Sequence, residues 1–305
     1  MRPTRRDTLL AAALLLAAGL APARAQEATP AEKLPVVASF SILADFVREI
    51  GGDRVEVSSL VGPDQDAHSF EPSPADAGRV AQARLVVMNG LGFEGWMERL
   101  VKASGTKAAT IEATRGIKAL AADHDHGHSH GADPHAFQDV ANVRIYVANI
   151  RDGLIAADPS GRAVYEANAA RYLAELERLD GEVRAEIGRI PPARRRVITD
   201  HDAFAYFARA YGLAFIAPRG VSKESDVSAK DVARIVRQIK AGKIPALFFE
   251  NVADPRLIEQ IARESGAAIG GKLYSDALSK PGGPAATYPA LMRHNARTLA
   301  AALAK

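Results

Sequence analysis

The sequence predicts an α/β protein made of two halves with a long helix between them. Short buried-strand patterns alternate with amphipathic helical patterns in both halves, which is typical of parallel sheets covered by helices on both faces. With 305 residues, 48% of them hydrophobic, the chain is long enough for two hydrophobic cores.

The first 25 residues read as a cleavable export signal. Arg2, Arg5 and Arg6 precede an apolar run over 9–21 that is too short for a membrane anchor, and residues 23–25 offer small side chains at the usual cleavage spacing. The segment fits either the Sec or the twin-arginine export route. No cysteine stands at the cleavage position, so we expect a soluble periplasmic protein without a lipid anchor.

Charge and cysteine content exclude several classes of function. Of the 39 basic and 36 acidic residues, four arginines and one aspartate lie in the signal, which leaves 35 of each sign in the mature chain. This balance gives no sign of a nucleic-acid or anionic-membrane partner. Because cysteine is absent, disulfides, thiolate metal ligands and cysteine nucleophiles are excluded.

Residues 26–157 predict the first lobe. We expect strands at about 36–38, 55–61, 84–88 and 108–111, and helices at about 42–50, 74–83, 94–103 and 140–156. The second strand leads into residues 62–76, which contain His68. Loops at the carboxyl ends of parallel strands are where open α/β sheets bind ligands, so His68 is placed for function.

A connecting segment, residues 158–192, contains one long helical pattern over 161–189 that Pro191 and Pro192 end. At 1.5 Å per residue this helix would extend about 40 Å, which suits a strut crossing the whole molecule. Its predicted apolar stripe consists of Val164, Tyr172, Leu176, Leu179, Val183 and Ile187.

Residues 193–305 predict a second α/β lobe. Strands are expected at 196–199, 214–217, 246–249 and 268–274, and helices at 202–211, 228–241, 254–265 and 287–303. His201, Glu250 and Asp276 follow or end three of these strands. Together with His68 and His135 from the first half, they bring imidazoles and carboxylates towards one cleft, which indicates a metal site.

Residues 123–135 contain five of the eight histidines. The stretch has no apolar residue larger than alanine, so it should form a solvated loop, and imidazoles at every second position can converge on a divalent ion. The alternating histidines, an auxiliary metal-binding candidate, are His124, His126, His128 and His130; His135 follows separately after Asp133 and Pro134.

Five motifs in order resemble the zinc- and manganese-binding solute-binding proteins of ABC importers. They are Asp66-Ala-His-Ser-Phe-Glu-Pro-Ser-Pro-Ala-Asp76, Asp133-Pro-His135, His201-Asp-Ala-Phe-Ala-Tyr-Phe207, Leu273-Tyr-Ser-Asp-Ala-Leu278 and Tyr288-Pro-Ala-Leu-Met-Arg-His-Asn295. The resemblance covers essentially the whole mature chain. It implies two small α/β lobes joined by one rigid helix, with a metal between them bound by His68, His135, His201 and Asp276.

The chain departs from the family pattern in two places. Ala67 stands where proline is frequent, and Phe137, Gln138, Asp139 and Val140 replace a more usual Trp-Leu-Asp-Pro. Neither change removes a ligand. A histidine-rich loop just before Asp-Pro-His is typical of the zinc-type branch, although this one is short.

The resemblance implies that the protein captures one Zn²⁺ tightly and delivers it to an inner-membrane ABC permease, as a monomer, with a periplasmic metallochaperone as a further partner. Alternatives are a manganese importer component, a zinc hydrolase with Glu250 as general base, or an adhesin. Four protein ligands would close the zinc shell and no His-Glu-x-x-His motif is present, which disfavours a hydrolase. Glu250 is expected either to orient a ligand imidazole or merely to pack near the cleft.

Overall fold

The computed structural model describes residues 32–122, 131–220 and 227–304, so the export signal and the histidine-rich stretch 123–130 lie outside the described residues. Two parallel four-stranded sheets form the cores of the two lobes, with strand orders β2-β1-β3-β4 and β6-β5-β7-β8. The strands are β1 (Leu34–Phe40), β2 (Val55–Val61), β3 (Leu85–Met88), β4 (Ala109–Glu112), β5 (Arg196–Ile198), β6 (Ala214–Ile216), β7 (Ala246–Glu250) and β8 (Ala268–Leu273).

Helices flank both sheets, and the predicted α/β fold is confirmed. They are α1 (Ser41–Gly51), α2 (Pro74–Gln82), α3 (Met97–Ser104), α4 (Val140–Ala157), α5 (Arg162–Gly188), α6 (Ala205–Tyr211), α7 (Ala229–Gly242), α8 (Arg256–Ser265) and α9 (Tyr288–Leu303). None of the helices in the described ranges is both long and apolar enough to cross a membrane.

The long helix α5 joins the lobes and buries one stripe of side chains. The stripe begins at Tyr165 and continues through Ala169 to Ile187, whereas Val164 is 42% exposed. The prediction for Val164 was therefore wrong. Spacings of three and four residues, traced back from Tyr172, lead to Ala169 and Tyr165, which places Val164 one residue off the buried face.

A single hydrophobic cluster runs from the first lobe along α5 into the second. It includes β1 and α1 residues, the buried stripe of α5, and apolar residues of α6 and α9. A smaller cluster, built around Ile235 of α7 and Leu247 of β7, packs α7 and α8 against the second sheet. Continuous packing along the joining helix favours a nearly fixed separation of the lobes.

The loop that carries His68 is fixed at both ends by local structure. β2 ends at Val61, and α2 begins with Ser73 as N-cap and Pro74 in its first turn. The Ser73 hydroxyl accepts a hydrogen bond from the Asp76 amide, and the Asp76 carboxylate accepts one from the Ser73 amide at 2.7 Å. This capping box explains why the sequence Pro-Ser-Pro-Ala-Asp follows the loop. A second capping box, formed by Ser228 and Asp231, begins α7.

Candidate metal centre

His68, His135, His201 and Asp276 converge at the interface between the lobes. Each offers one ligand atom, and these atoms all lie within 4.8 Å of one another. His135, His201 and Asp276 are completely buried, and His68 is 9% exposed. Three of the four follow strands β2, β5 and β8, while His135 comes from the segment just before α4. All four residues chosen from the sequence as metal ligands are therefore brought together.

The distances between donor atoms describe a compact cluster. The Nε2 atoms of His68 and His135 are 3.2 Å apart. The Asp276 Oδ2 atom lies 3.1 Å from His201 Nε2 and 3.8 Å from His68 Nε2, and Asp276 Oδ1 lies 3.5 Å from His135 Nε2. The three imidazoles thus turn the same ring nitrogen towards one point, and both carboxylate oxygens face it.

Two of the imidazoles are oriented by carboxylates at their other ring nitrogen. Asp133 Oδ1 lies 2.8 Å from His135 Nδ1, and Glu250 Oε2 lies 2.6 Å from His201 Nδ1. A carboxylate at Nδ1 favours the tautomer with its proton there, which leaves Nε2 free of a proton and able to coordinate. Glu250 therefore lies where it can orient His201, and Asp133 plays the equivalent part for His135.

Further contacts fix the backbone of these ligand segments. Glu250 Oε1 accepts hydrogen bonds from the backbone amides of Asp200 and His201, at 2.8 and 2.9 Å. Tyr206 of α6 donates its hydroxyl proton to the Asp133 carbonyl at 2.9 Å, a contact that crosses between the lobes. The segment that carries His135 is therefore held by both lobes.

His68 is held by its own loop and by aromatic packing. Its backbone amide donates to Asp66 Oδ1 at 3.0 Å, and the indole of Trp96 donates to the carbonyl of the preceding Ala67 at 2.8 Å. The Phe93 ring packs edge-on against the His68 imidazole with centroids 4.5 Å apart. Trp96 was predicted within a helix; it instead lies just before α3, as its N-cap residue.

Replacing Glu250 with glutamine is expected to lower the affinity of this site for a divalent metal about tenfold, within the range typical for partners that orient metal ligands. The glutamine NH₂ group cannot accept the Nδ1 proton of His201, so the imidazole would favour the tautomer that carries its proton on Nε2. Competition titration against a zinc chelator measures this. The isosteric change at an exposed carboxylate, Glu98→Gln, is the control, and equal affinities for the two variants would contradict the orienting role.

A buried polar network lies behind the His135 segment. The Glu94 carboxylate accepts hydrogen bonds from the Ser39 hydroxyl and from the Asn89 amide, the latter at 2.7 Å. Asn89 in turn donates to the Pro134 carbonyl at 2.9 Å and accepts from the Tyr146 hydroxyl at 2.8 Å. Burial raises the pKa of Glu94 to about 7, against the opposing effect of these hydrogen bonds.

This raised pKa predicts a pH dependence of stability. Between about pH 4.5, where a free glutamate titrates, and pH 7 the folded protein retains a proton that the unfolded chain releases. The free energy of unfolding should therefore fall as pH rises through this window, by on the order of 3 kcal/mol from this group, and stay level above it. In Glu94→Gln that contribution should vanish. Urea unfolding at several pH values tests this. The same pH dependence of the free energy of unfolding in the unmodified protein and in Glu94→Gln would contradict it.

Comparison with known proteins identifies the family of the chain. The family described as "Zinc-uptake complex component A periplasmic", ZnuA, matches residues 36–302. The chain belongs to the ZnuA family. It is thus a metal-binding solute-binding protein of an ABC importer, acting outside the cytoplasm, and an importer component implies a permease partner. Membership of a transport family also confirms that the chain is not an enzyme.

Individual relatives of this ZnuA-family protein carry names that refer to different metals. The manganese-binding lipoprotein MntA of Halalkalibacterium halodurans is 33% identical over 291 residues, 95% of each chain. The iron-binding protein YfeA of Yersinia pestis is 32% identical over 270 residues, 88% of this chain and 86% of YfeA. The periplasmic zinc-binding protein TroA of Treponema pallidum superposes with a TM-score of 0.85 at 29% identity, over 90% of this chain and all of that one. The family therefore leaves the metal open.

Proposed function

We propose that the protein captures Zn²⁺ in the periplasm at His68, His135, His201 and Asp276 and delivers it to the permease of an ABC importer. The single observation that carries this proposal is the donor set: three imidazole nitrogens and one carboxylate, all within 4.8 Å of one another. Imidazole is a borderline donor that suits zinc, and closed four-ligand shells are characteristic of tightly held zinc.

The spacing of the donor atoms supports the same metal. Ligands at about 2.0–2.1 Å from a tetrahedral zinc are separated from one another by about 3.3–3.4 Å. The separations of 3.2 Å between His68 Nε2 and His135 Nε2 and of 3.1 Å between His201 Nε2 and Asp276 Oδ2 lie close to that value, whereas His68 Nε2 lies 3.8 Å from the same oxygen. The four donor atoms, all within 4.8 Å of one another, would have to draw together to hold a four-coordinate zinc.

Manganese is the second candidate, because a relative that matches 95% of the chain is named for it. Both oxygens of Asp276 face the cluster, so a bidentate carboxylate would raise the donor count. Three of the donors would still be nitrogens, however, and manganese favours oxygen ligands in larger number. The donor set thus favours zinc over the metal in the relative's name.

The proposal also covers the form in which the protein is exported, as a cleaved chain without a lipid anchor. Cleavage after Ala25 would release a protein that begins at Gln26 and carries no lipid. Intact-mass measurement of protein recovered from the periplasm tests this. A mass that includes residues before Gln26, or an acyl group, would contradict it.

The auxiliary histidines supply a test of which residues form the tight site. We propose that His124, His126, His128 and His130 bind zinc more weakly than the buried cluster, because a stretch without large apolar side chains is expected to lose conformational entropy when it chelates a metal. Calorimetric titration of residues 26–305 should show one tight zinc and weaker binding. Deleting residues 123–130 should remove only the weaker binding. Loss of the tight site on deletion would mean that the four buried residues are not the capture site.

A further inference from the structure

The peptide groups on either side of Asp276 are held by side-chain amides that come from both lobes. Gln138, just before α4, donates its Nε2 hydrogen to the Ser275 carbonyl at 2.7 Å. Asn251, just after β7, accepts a hydrogen bond from the Ser275 amide at 3.2 Å and donates to the Ala277 carbonyl at 3.1 Å. We refer to Gln138 and Asn251 as the amide clamp.

Asn251 has the chemistry that this position requires. The Ser275 N–H can only donate and the Ala277 carbonyl can only accept, so the side chain that bridges them needs one acceptor and one donor. Asparagine supplies both, whereas aspartate and leucine do not. Because Asn251 follows Glu250 directly, the end of β7 contacts two ligand segments: Glu250 contacts His201 and Asn251 contacts the backbone around Asp276.

Gln138 connects the same backbone to the first lobe. It is completely buried and lies three residues after His135, so its hydrogen bond links the His135 segment directly to the Asp276 segment. Ser41 of α1 adds a second link, because its hydroxyl accepts a hydrogen bond from the Leu278 amide at 3.0 Å. The backbone around Asp276 therefore depends on contacts with the first lobe, although Asp276 follows strand β8 of the second sheet.

We propose that Gln138 and Asn251 are positioning residues that control how long the metal is retained, by fixing the carboxylate of Asp276. The inference rests on the proposed function, since it requires Asp276 to be a ligand. Without the amide clamp, the flanking peptide groups can rotate, and Asp276 spends part of its time away from the metal. The dissociation rate of zinc should then rise.

Two variants test this, each with a matched control. Gln138→Leu removes the donor at similar volume, and Asn142→Leu removes an amide from the same region, where the Asn142 side chain donates to the Ala136 carbonyl at 3.2 Å. Asn251→Leu removes three hydrogen bonds, the two just described and one that Asn251 donates to Asp64 Oδ1 at 3.2 Å. Its control, Asn149→Leu, removes two amide hydrogen bonds, to the carbonyls of Ala113 and Arg115. Stopped-flow transfer of zinc to an excess of chelator measures the dissociation rate, and thermal unfolding verifies that each variant is folded.

We expect Gln138→Leu and Asn251→Leu each to release zinc about tenfold faster, equivalent to about 1.4 kcal/mol, and both controls to stay within about twofold of the unmodified protein. In an Asp276→Ala background the clamp variants should have no further effect, which a general loss of stability would not reproduce. Because Asn251 is only partly buried, its variant decides the question if Gln138→Leu fails to fold.

The outcomes separate this inference from the proposed function. If Asp276→Ala leaves zinc affinity unchanged, Asp276 is not a ligand, and both the proposed site and the amide clamp are wrong. If Asp276→Ala weakens binding but the clamp variants behave like their controls, only the clamp is wrong. If the tenfold effect persists in the Asp276→Ala background, Gln138 and Asn251 act by another route and the clamp is again overturned.

Discussion

Replacing His135 by alanine is expected to lower zinc affinity by about two to three orders of magnitude. Structural zinc sites contribute about 10–16 kcal/mol from four ligands, or roughly 2.5–4 kcal/mol for each, and every 1.4 kcal/mol is a factor of ten. His135 is completely buried, so water would reach the vacated position poorly. The change also leaves the Asp133 carboxylate, which lies 2.8 Å from the imidazole, buried without that partner.

Asp276→Ala should weaken zinc less than any one histidine replacement, because water can substitute for a single oxygen ligand more readily than for an imidazole. Competition against a fluorescent zinc chelator gives these affinities. His294→Ala is the control: His294 is partly buried and its Nε2 contacts the Lys272 carbonyl, outside the cluster. A loss below tenfold for His135→Ala, or an equal loss for His294→Ala, would contradict the assignment of the site.

Much of the fold followed from the sequence because its signals are local. The alternation of short apolar runs with helical stripes predicted the strands and helices to within a few residues, and β2 matches its prediction at both ends. The errors arose where contacts between residues far apart in the chain determine the local conformation. Trp96 was assigned to a helix, but its indole donates a hydrogen bond to the Ala67 carbonyl. A hydrogen bond between residues far apart in the chain leaves no periodic pattern in the sequence.

The site was predictable in part for a similar reason. Strand ends and motif resemblance pointed to the four converging side chains, because parallel strands bring their carboxyl ends to one edge of a sheet. Asp133, Gln138 and Asn251 were not identified as part of it. Their roles depend on contacts between segments far apart in the chain, such as the 137 residues that separate Gln138 from Ser275. Only Asp133, two residues before His135 in a quoted motif, carried a sequence signal.

Zinc is expected to bind at least about 100-fold more tightly than manganese, because the intrinsic order of divalent affinities places zinc well above manganese at nitrogen-containing sites. That order holds for most sites, so a preference alone does not identify the cargo. A stronger test changes the donor set and measures whether the ratio of zinc to manganese affinity changes with it. Exchanging an imidazole for a carboxylate should reduce the ratio of zinc to manganese affinity.

The position for that exchange is His201, but Glu250 must change with it. Glu250 lies 2.6 Å from His201 Nδ1, so His201→Glu alone would place two carboxylates in contact and add a repulsion unrelated to the metal. The double variant His201→Glu/Glu250→Gln avoids this, and Glu250→Gln alone is its control. Calorimetry with each metal should show a ratio reduced in the double variant and retained in the control. An unchanged ratio, or equal zinc and manganese affinities in the unmodified protein, would contradict a capture site whose preference depends on three nitrogen donors.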